Sequence, residues 1–205
     1  RSVTGAGDVN GDGLADLIVS AAAADPHGDS DAGESYVVFG KANTDTVDLG
    51  NLGSGGFRLD GIDAGDYSGF SVSGAGDING DGLADLIIGA PFADPNGAIL
   101  SGESYVVFGK TGTNTVDFGN LGSGGFRIEG INPGDRSSIG VSGSGDVNGD
   151  GLADLIVGAY QASPDGNKYA GESYVGFGKS SSTTVDLGNL GSGGIRPDGV
   201  DTGDR

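Results

Sequence analysis

The sequence predicts an all-β protein made of repeated four-stranded sheets, and three observations carry that reading. Short apolar runs such as Leu17-Ile18-Val19 and Tyr36-Val37-Val38-Phe39 are bounded by Gly, Asp and Asn, the signature of strands joined by tight turns. No window shows the 3.6-residue apolar period of a helix. The chain also repeats itself: Asp8, Asp77 and Asp146 open the same motif, 69 residues apart each time.

The repeat holds its register along the whole unit. Gly33-Glu34-Ser35-Tyr36 returns at 102–105 and 171–174, and Val47-Asp48 returns as Val116-Asp117 and Val185-Asp186. In the second unit the strands are expected at 70–74, 83–89, 104–108 and 126–129, with long connections at 91–101 and 111–125. Runs without polar alternation fit strands covered on both faces. A four-stranded unit repeated in tandem is the sequence form of a β-propeller blade. The expected blades are 1–66, 67–135 and 136–205, three per chain. Pro197 stands where Leu59 and Ile128 stand in the other units, and a residue without an amide donor suits an outer edge strand.

Composition narrows the function. Gly makes up 45 of 205 residues, and formal net charge is −19. An excess of acid this large argues against nucleic acid as a partner, because phosphates need a basic face. No apolar run approaches the 18 residues needed to span a membrane. The chain has no Cys, so it has no disulfide and no thiolate site. Arg1 falls in mid-motif, which reads as an excised or processed piece of a longer chain.

Many of the acids lie in one pattern. The segments 8–16, 77–85 and 146–154 read Asp-x-Asn-Gly-Asp-Gly-Leu-Ala-Asp. Side-chain oxygens come from Asp8, Asn10, Asp12 and Asp16, from Asp77, Asn79, Asp81 and Asp85, and from Asp146, Asn148, Asp150 and Asp154. Leu14, Leu83 and Leu152 offer only a backbone carbonyl. Ca²⁺ takes about 6–8 oxygen ligands, so each set completed by water suffices, giving about three ions per chain. An EF-hand is excluded. Position 12 is Val19, Ile88 or Val157, where that motif needs a bidentate acid between two helices. Asn-Gly and Asp-Gly alone would explain a turn, but not the Asp at positions 1 and 9.

Other motifs carry less. Gly109-Lys110-Thr111 lacks the upstream Gly and the following helix of a phosphate loop. His27 is the single His, in a polar turn. Asp48, Asp117 and Asp186 recur with the repeat, which favours a structural role over catalysis. Arg58, Arg127 and Arg196 read as salt-bridge partners for the acids.

These residues resemble the FG-GAP repeat of integrin α-subunit propellers and of large secreted bacterial proteins. The second unit carries Phe70-Ser71-Val72, the loop 77–85 and Leu86-Ile87-Ile88-Gly89-Ala90-Pro91. Gly-Ala-Pro becomes Gly158-Ala159-Tyr160 in the third unit and Ser20-Ala21-Ala22 in the first, and Ile139-Gly140 is the nearest approach to Phe-Gly there. The recurring Gly-Phe-Arg-x-Asp/Glu-Gly segment points to the bacterial type. The resemblance implies a non-catalytic, calcium-binding module for adhesion or protein interaction, secreted or at the cell surface, with a protein or glycan ligand. Two other readings stand beside it. One is a lectin-like propeller with specificity in the variable loops 22–32, 91–101 and 160–170; the other is the accessory propeller of a secreted enzyme. Three blades leave two flat faces open. A homodimer closing a six-bladed ring is therefore expected, phased by Arg205 aligning with Tyr67 and Arg1 with Phe70.

Overall fold

The computed structural model describes residues 2–203. Arg1 and Arg205, whose alignment carries the expected ring phasing, lie outside the described residues. Three sheets form in sequence order. The first holds β1 (Val3–Gly7), β2 (Asp16–Ala21), β3 (Glu34–Val38) and β4 (Gly56–Asp60). The second holds β5 (Ser71–Gly76), β6 (Asp85–Ala90), β7 (Glu103–Val107) and, beyond the two-residue β8 (Val116–Asp117), β9 (Gly125–Glu129). The third holds β10 (Ser137–Gly145), β11 (Asp154–Ala159), β12 (Glu172–Gly176) and, beyond β13 (Val185–Asp186), β14 (Gly194–Ile195). Neighbours within each set of four are antiparallel.

The expected second strand of the middle unit, 83–89, starts two residues later and ends one later, at Asp85–Ala90, because Leu83 and Ala84 remain in the turn. A larger departure lies in the connection expected as loop at 111–125. Its Val116–Asp117 runs parallel to β4, in register with Leu59 and Asp60. Val185–Asp186 does the same to β9 at Ile128 and Glu129. The second and third units therefore each lend a two-residue strap to the outer edge of the sheet before them.

Packing follows the order of the sheets. One apolar core joins Ile18, Val37, Phe57 and Leu59 of the first unit to Leu86, Ile88, Tyr105 and Val107 of the second. A second joins Ile87, Val106, Phe126 and Ile128 to Leu155, Val157, Tyr174 and Leu187 of the third. Each such side chain, fully buried, contributes about 1.5–3 kcal/mol. The near-identical strands β2, β6 and β11 show what position does. All six residues of β6 are buried, whereas β2 and β11 each keep an exposed position.

The recurring acids and bases take structural posts. Asp48, Asp117 and Asp186 accept hydrogen bonds from the amides of Gly50, Gly119 and Gly188 and cap three-residue 3₁₀ turns. Arg58 pairs with Asp60 at 2.6 Å, Arg127 with Glu103 at 3.2 Å and Arg196 with Asp198 at 2.7 Å. His27, expected in a solvated turn, has an exposed side chain with Nε2 3.4 Å from the buried Asp60 carboxylate.

Candidate metal centre

Each Asp-rich loop sits at the bend between the first two strands of its sheet, after β1, β5 and β10. The opening carboxylate organises the coil. Asp8 Oδ1 accepts from the amides of Gly11 (2.8 Å) and Asp12 (3.1 Å), and its Oδ2 from Gly13 (2.9 Å). Asp77 does the same for Gly80, Asp81 and Gly82, and Asp146 for Gly149, Asp150 and Gly151. Gly11 and Gly13 adopt φ of 78° and 86°, left-handed backbone that glycine enters without a Cβ penalty.

Positions 3 and 5 are coupled as well. Asn10 Oδ1 accepts from the Asp12 amide at 2.8 Å, its Nδ2 donates to Asp12 Oδ2 at 3.0 Å, and Asp12 Oδ1 accepts from the Leu14 amide at 2.8 Å. The same three bonds recur in the second and third loops. Thus Asp8, Asn10, Asp12 and Leu14 are tied into one exposed knot, as are their counterparts.

The ninth Asp has a different setting. Asp16, Asp85 and Asp154 are fully buried. Asp16 accepts from Val9 N at 2.8 Å and Gly40 N at 2.7 Å, Asp85 from Ile78 N and Gly109 N, and Asp154 from Val147 N and Gly178 N. Burial raises the Asp16 carboxyl above its ordinary range, against the two amides that lower it, and the charges of Asp12 and Asp8 push the same way as burial. For Asp85 the balance of burial, its amides and the charges of Asp81 and Asp77 lies at about 6. Among the described residues, no three Asp, Glu or His side chains converge as a ready metal cluster.

Gly40, Gly109 and Gly178 are the members of this centre that pattern reading missed. A Cβ on Gly109 would stand 2.5 Å from Leu83 Cβ and 2.8 Å from Ala84 O, and one on Gly178 would stand 2.6 Å from Leu152 Cβ. The signal was present as a recurrent Phe-Gly-Lys, its Gly 24 residues after each ninth Asp. Successive loops also touch. Ala84 N donates to Asp8 O and Ala153 N to Asp77 O, both at 2.9 Å, and Lys110 N donates to Val9 O at 2.8 Å.

The donor chemistry fits a hard dication. Every side chain at positions 1, 3, 5 and 9 carries an oxygen donor, the chain has no sulfur, and oxygens that accept a single hydrogen bond, such as Asp8 Oδ2 and Asp12 Oδ1, retain a second lone pair. Backbone amides and the Asn Nδ2 hydrogens also lie against the carboxylates and offset part of their mutual repulsion.

Comparison with known proteins bears on the same segments. The model of the FG-GAP repeat matches residues 1–38, 68–116 and 140–175, more than half of the chain and inclusive of all three loops. The chain belongs to the FG-GAP repeat family. The matched ranges leave out β4, β9 and β14. Among relatives, integrin alpha-PS5 of Drosophila melanogaster is 35% identical over 153 residues, covering 74% of this chain and 14% of that protein. Integrin alpha pat-2 of Caenorhabditis elegans is 35% identical over 100 residues, covering 46% of this chain and 7% of that protein. Phosphatidylinositol-glycan-specific phospholipase D of Mus musculus is 36% identical over 105 residues, covering 50% of this chain and 12% of that protein. The FG-GAP chain thus spans only a small part of the length of each of these relatives. Among its described residues no helix is long and apolar enough to cross a membrane.

Proposed function

We propose that this chain is a calcium-loaded segment of a β-propeller, its three sheets serving as blades, that acts in extracellular adhesion or protein interaction without catalysis of its own. One observation carries the reading: the same oxygen-lined loop is built three times with the same hydrogen bonds, at the same bend of each sheet. Ca²⁺ would be held by Asp8, Asn10, Asp12, Asp16 and the Leu14 carbonyl, and by the matching residues of the other two loops. The ion supplies positive charge to a chain of net charge −19 and ties the bend between two strands. Metal binding then becomes folding free energy.

The similarity to integrin alpha chains supports the interaction role and a secreted or cell-surface location. The similarity to phospholipase D relatives supports a second reading, an accessory module beside a catalytic domain elsewhere in a longer protein. A hydrolase assay on the intact gene product, positive only where a catalytic domain accompanies the module, distinguishes the two.

The test is thermal unfolding with calcium and with EDTA. At a hundredfold excess over Kd each ion adds about 2.7 kcal/mol, and at about 2–4 °C per kcal/mol three ions raise Tm by roughly 15 °C or more. Asp81→Ala should remove about a third of that gain. Equal melting in both buffers overturns the metal reading.

A further inference from the structure

We infer that the groove between the second and third sheets binds a small single-ring aromatic with a neutral hydroxyl, a phenol in chemical class, its ring against Tyr174 and its hydroxyl at Lys179. The groove is internal to the stack. Phe126 and Ile128 of β9 form one wall, and Leu155 and Tyr174 of the third sheet form the other. Its volume of about 420 Å³ suits a small-molecule site, where about 300–1,000 Å³ is usual. The walls are preformed, because β9 is bonded to β7 on one side and to the strap Val185–Asp186 on the other. The Tyr174 ring is held by the hydrogen bond from its hydroxyl to Glu172.

An internal comparison shows why the groove is open. Between the first and second sheets, Val107 and Phe118 fill the matching place and are buried. There the Phe118 ring stacks on Tyr105, with centroids 4.2 Å apart and planes within 6°. In the third unit the same positions hold Gly176 and Leu187, both smaller. A Cβ on Gly176 would meet no atom within 4 Å. Among the described residues no ring pairs with Tyr174 as Phe118 does with Tyr105. The matching hollow of the second unit is wider, about 610 Å³, but shallow. It stops at Val107 and reaches neither Leu86 nor Tyr105, and Ser180 of the following unit joins its rim without closing it.

The missing groups define the occupant. A ring and two methyls are what the smaller residues leave out, and a ligand ring on Tyr174 restores the stack that Phe118 makes on Tyr105. Stacked aromatic pairs gain more than their buried area alone, and apolar hollows of this kind take up aromatics in preference to water. The mouth selects the substituent. Lys179 Nζ lies 4.1 Å from the centroid of the Phe126 ring and donates to the Thr183 carbonyl, so further N–H donors of the ammonium remain for a ligand. Asp150 and Asp186 line the same mouth. A charged head of either sign meets its like there, whereas a hydroxyl accepts from the ammonium and donates to a carboxylate.

The experiment is an NMR titration of the ¹⁵N-labelled chain, in calcium, with 4-methylphenol. Saturable one-to-one shifts of the Gly176, Lys179 and Leu187 amides are expected, with Kd of about 1 mM or tighter. Gly176→Val and Leu187→Phe rebuild the filled junction from the chain's own template, and melting curves check that both stay folded. Each should weaken binding about tenfold or more, because the side chain takes the ring's place. Benzoate and benzylamine carry the same ring with a charged head and should bind more weakly than 4-methylphenol. No shift up to about 10 mM, shifts centred on Val107 and Phe118 instead, or undiminished binding by either folded variant overturns the inference. Tighter binding of benzoate or benzylamine overturns the assignment of the mouth.

Discussion

Replacing Gly176 by Val should stabilise the third unit. Gly176 occupies the position of Val38 and Val107, and Val107 is buried in the first core. A Cβ on Gly176 would meet no atom within 4 Å, and its φ is not left-handed. The space belongs to a groove of about 420 Å³ lined by Phe126, Leu155, Tyr174 and Leu187 among others. Removing a strand glycine gains about 0.5–1 kcal/mol. Full burial of Val gains about 1.5–3 kcal/mol, and roughly half of the lower figure is reasonable in a groove open on one side. The sum, about 1.2–1.8 kcal/mol, raises Tm by about 2–7 °C. Differential scanning calorimetry in EDTA reads this without interference from metal. Gly178→Ala, two residues on, is the contrast. Its Cβ would lie 2.6 Å from Ala153 O and would push the Gly178 amide off Asp154, an overpacking that costs about 1–3 kcal/mol. A folded Gly176→Val protein that melts at or below the parent temperature would refute the packing argument.

Two further predictions follow from buried carboxylates. Asp85→Ala strips the Ile78 and Gly109 amides of their partner; at about 1–3 kcal/mol for each orphaned donor, urea unfolding should show a loss of about 2–6 kcal/mol even in EDTA, and a loss seen only with calcium would contradict this anchoring role. Burial pushes Glu103 from 4.5 up to about 7, against the lowering by Arg127 and Tyr105, so the folded chain binds this proton more tightly than the unfolded one. Its contribution therefore falls as pH rises from 4.5 to about 7 and is level above that. Asp66, pushed up to about 7 by burial and neighbouring acids, slopes the same way. Glu103→Gln should flatten the dependence of Tm on pH in that window, and an unchanged slope would show that the shift is not expressed.

The strands were legible because apolar runs such as Leu86-Ile87-Ile88 are short, bounded by turn residues and repeated three times. The placement of each Asp-rich loop at the bend between the first two strands was legible because it depends on spacing alone, whereas the hydrogen bonds that knot Asp8, Asn10 and Asp12 together were not. The straps were not. A two-residue strand carries no periodicity, and Val116–Asp117 is held by a partner nearly sixty residues earlier. The anchoring role of the ninth Asp was hidden for a similar reason, since Gly40 reaches Asp16 across the whole of β2 and β3. Burial also escaped local reading. Ile87 and Ile156 share their sequence surroundings and differ only in whether another sheet follows. The short β14 has a local cause, because Pro197 lacks the amide that Leu59 and Ile128 possess.

Native mass spectrometry after equilibration with calcium addresses the metal centres most directly. The loop chemistry predicts three ions on each chain, falling to two when Asp81 becomes Ala. A chain that carries none at millimolar calcium, or a count indifferent to Asp12, Asp81 and Asp150, would contradict it.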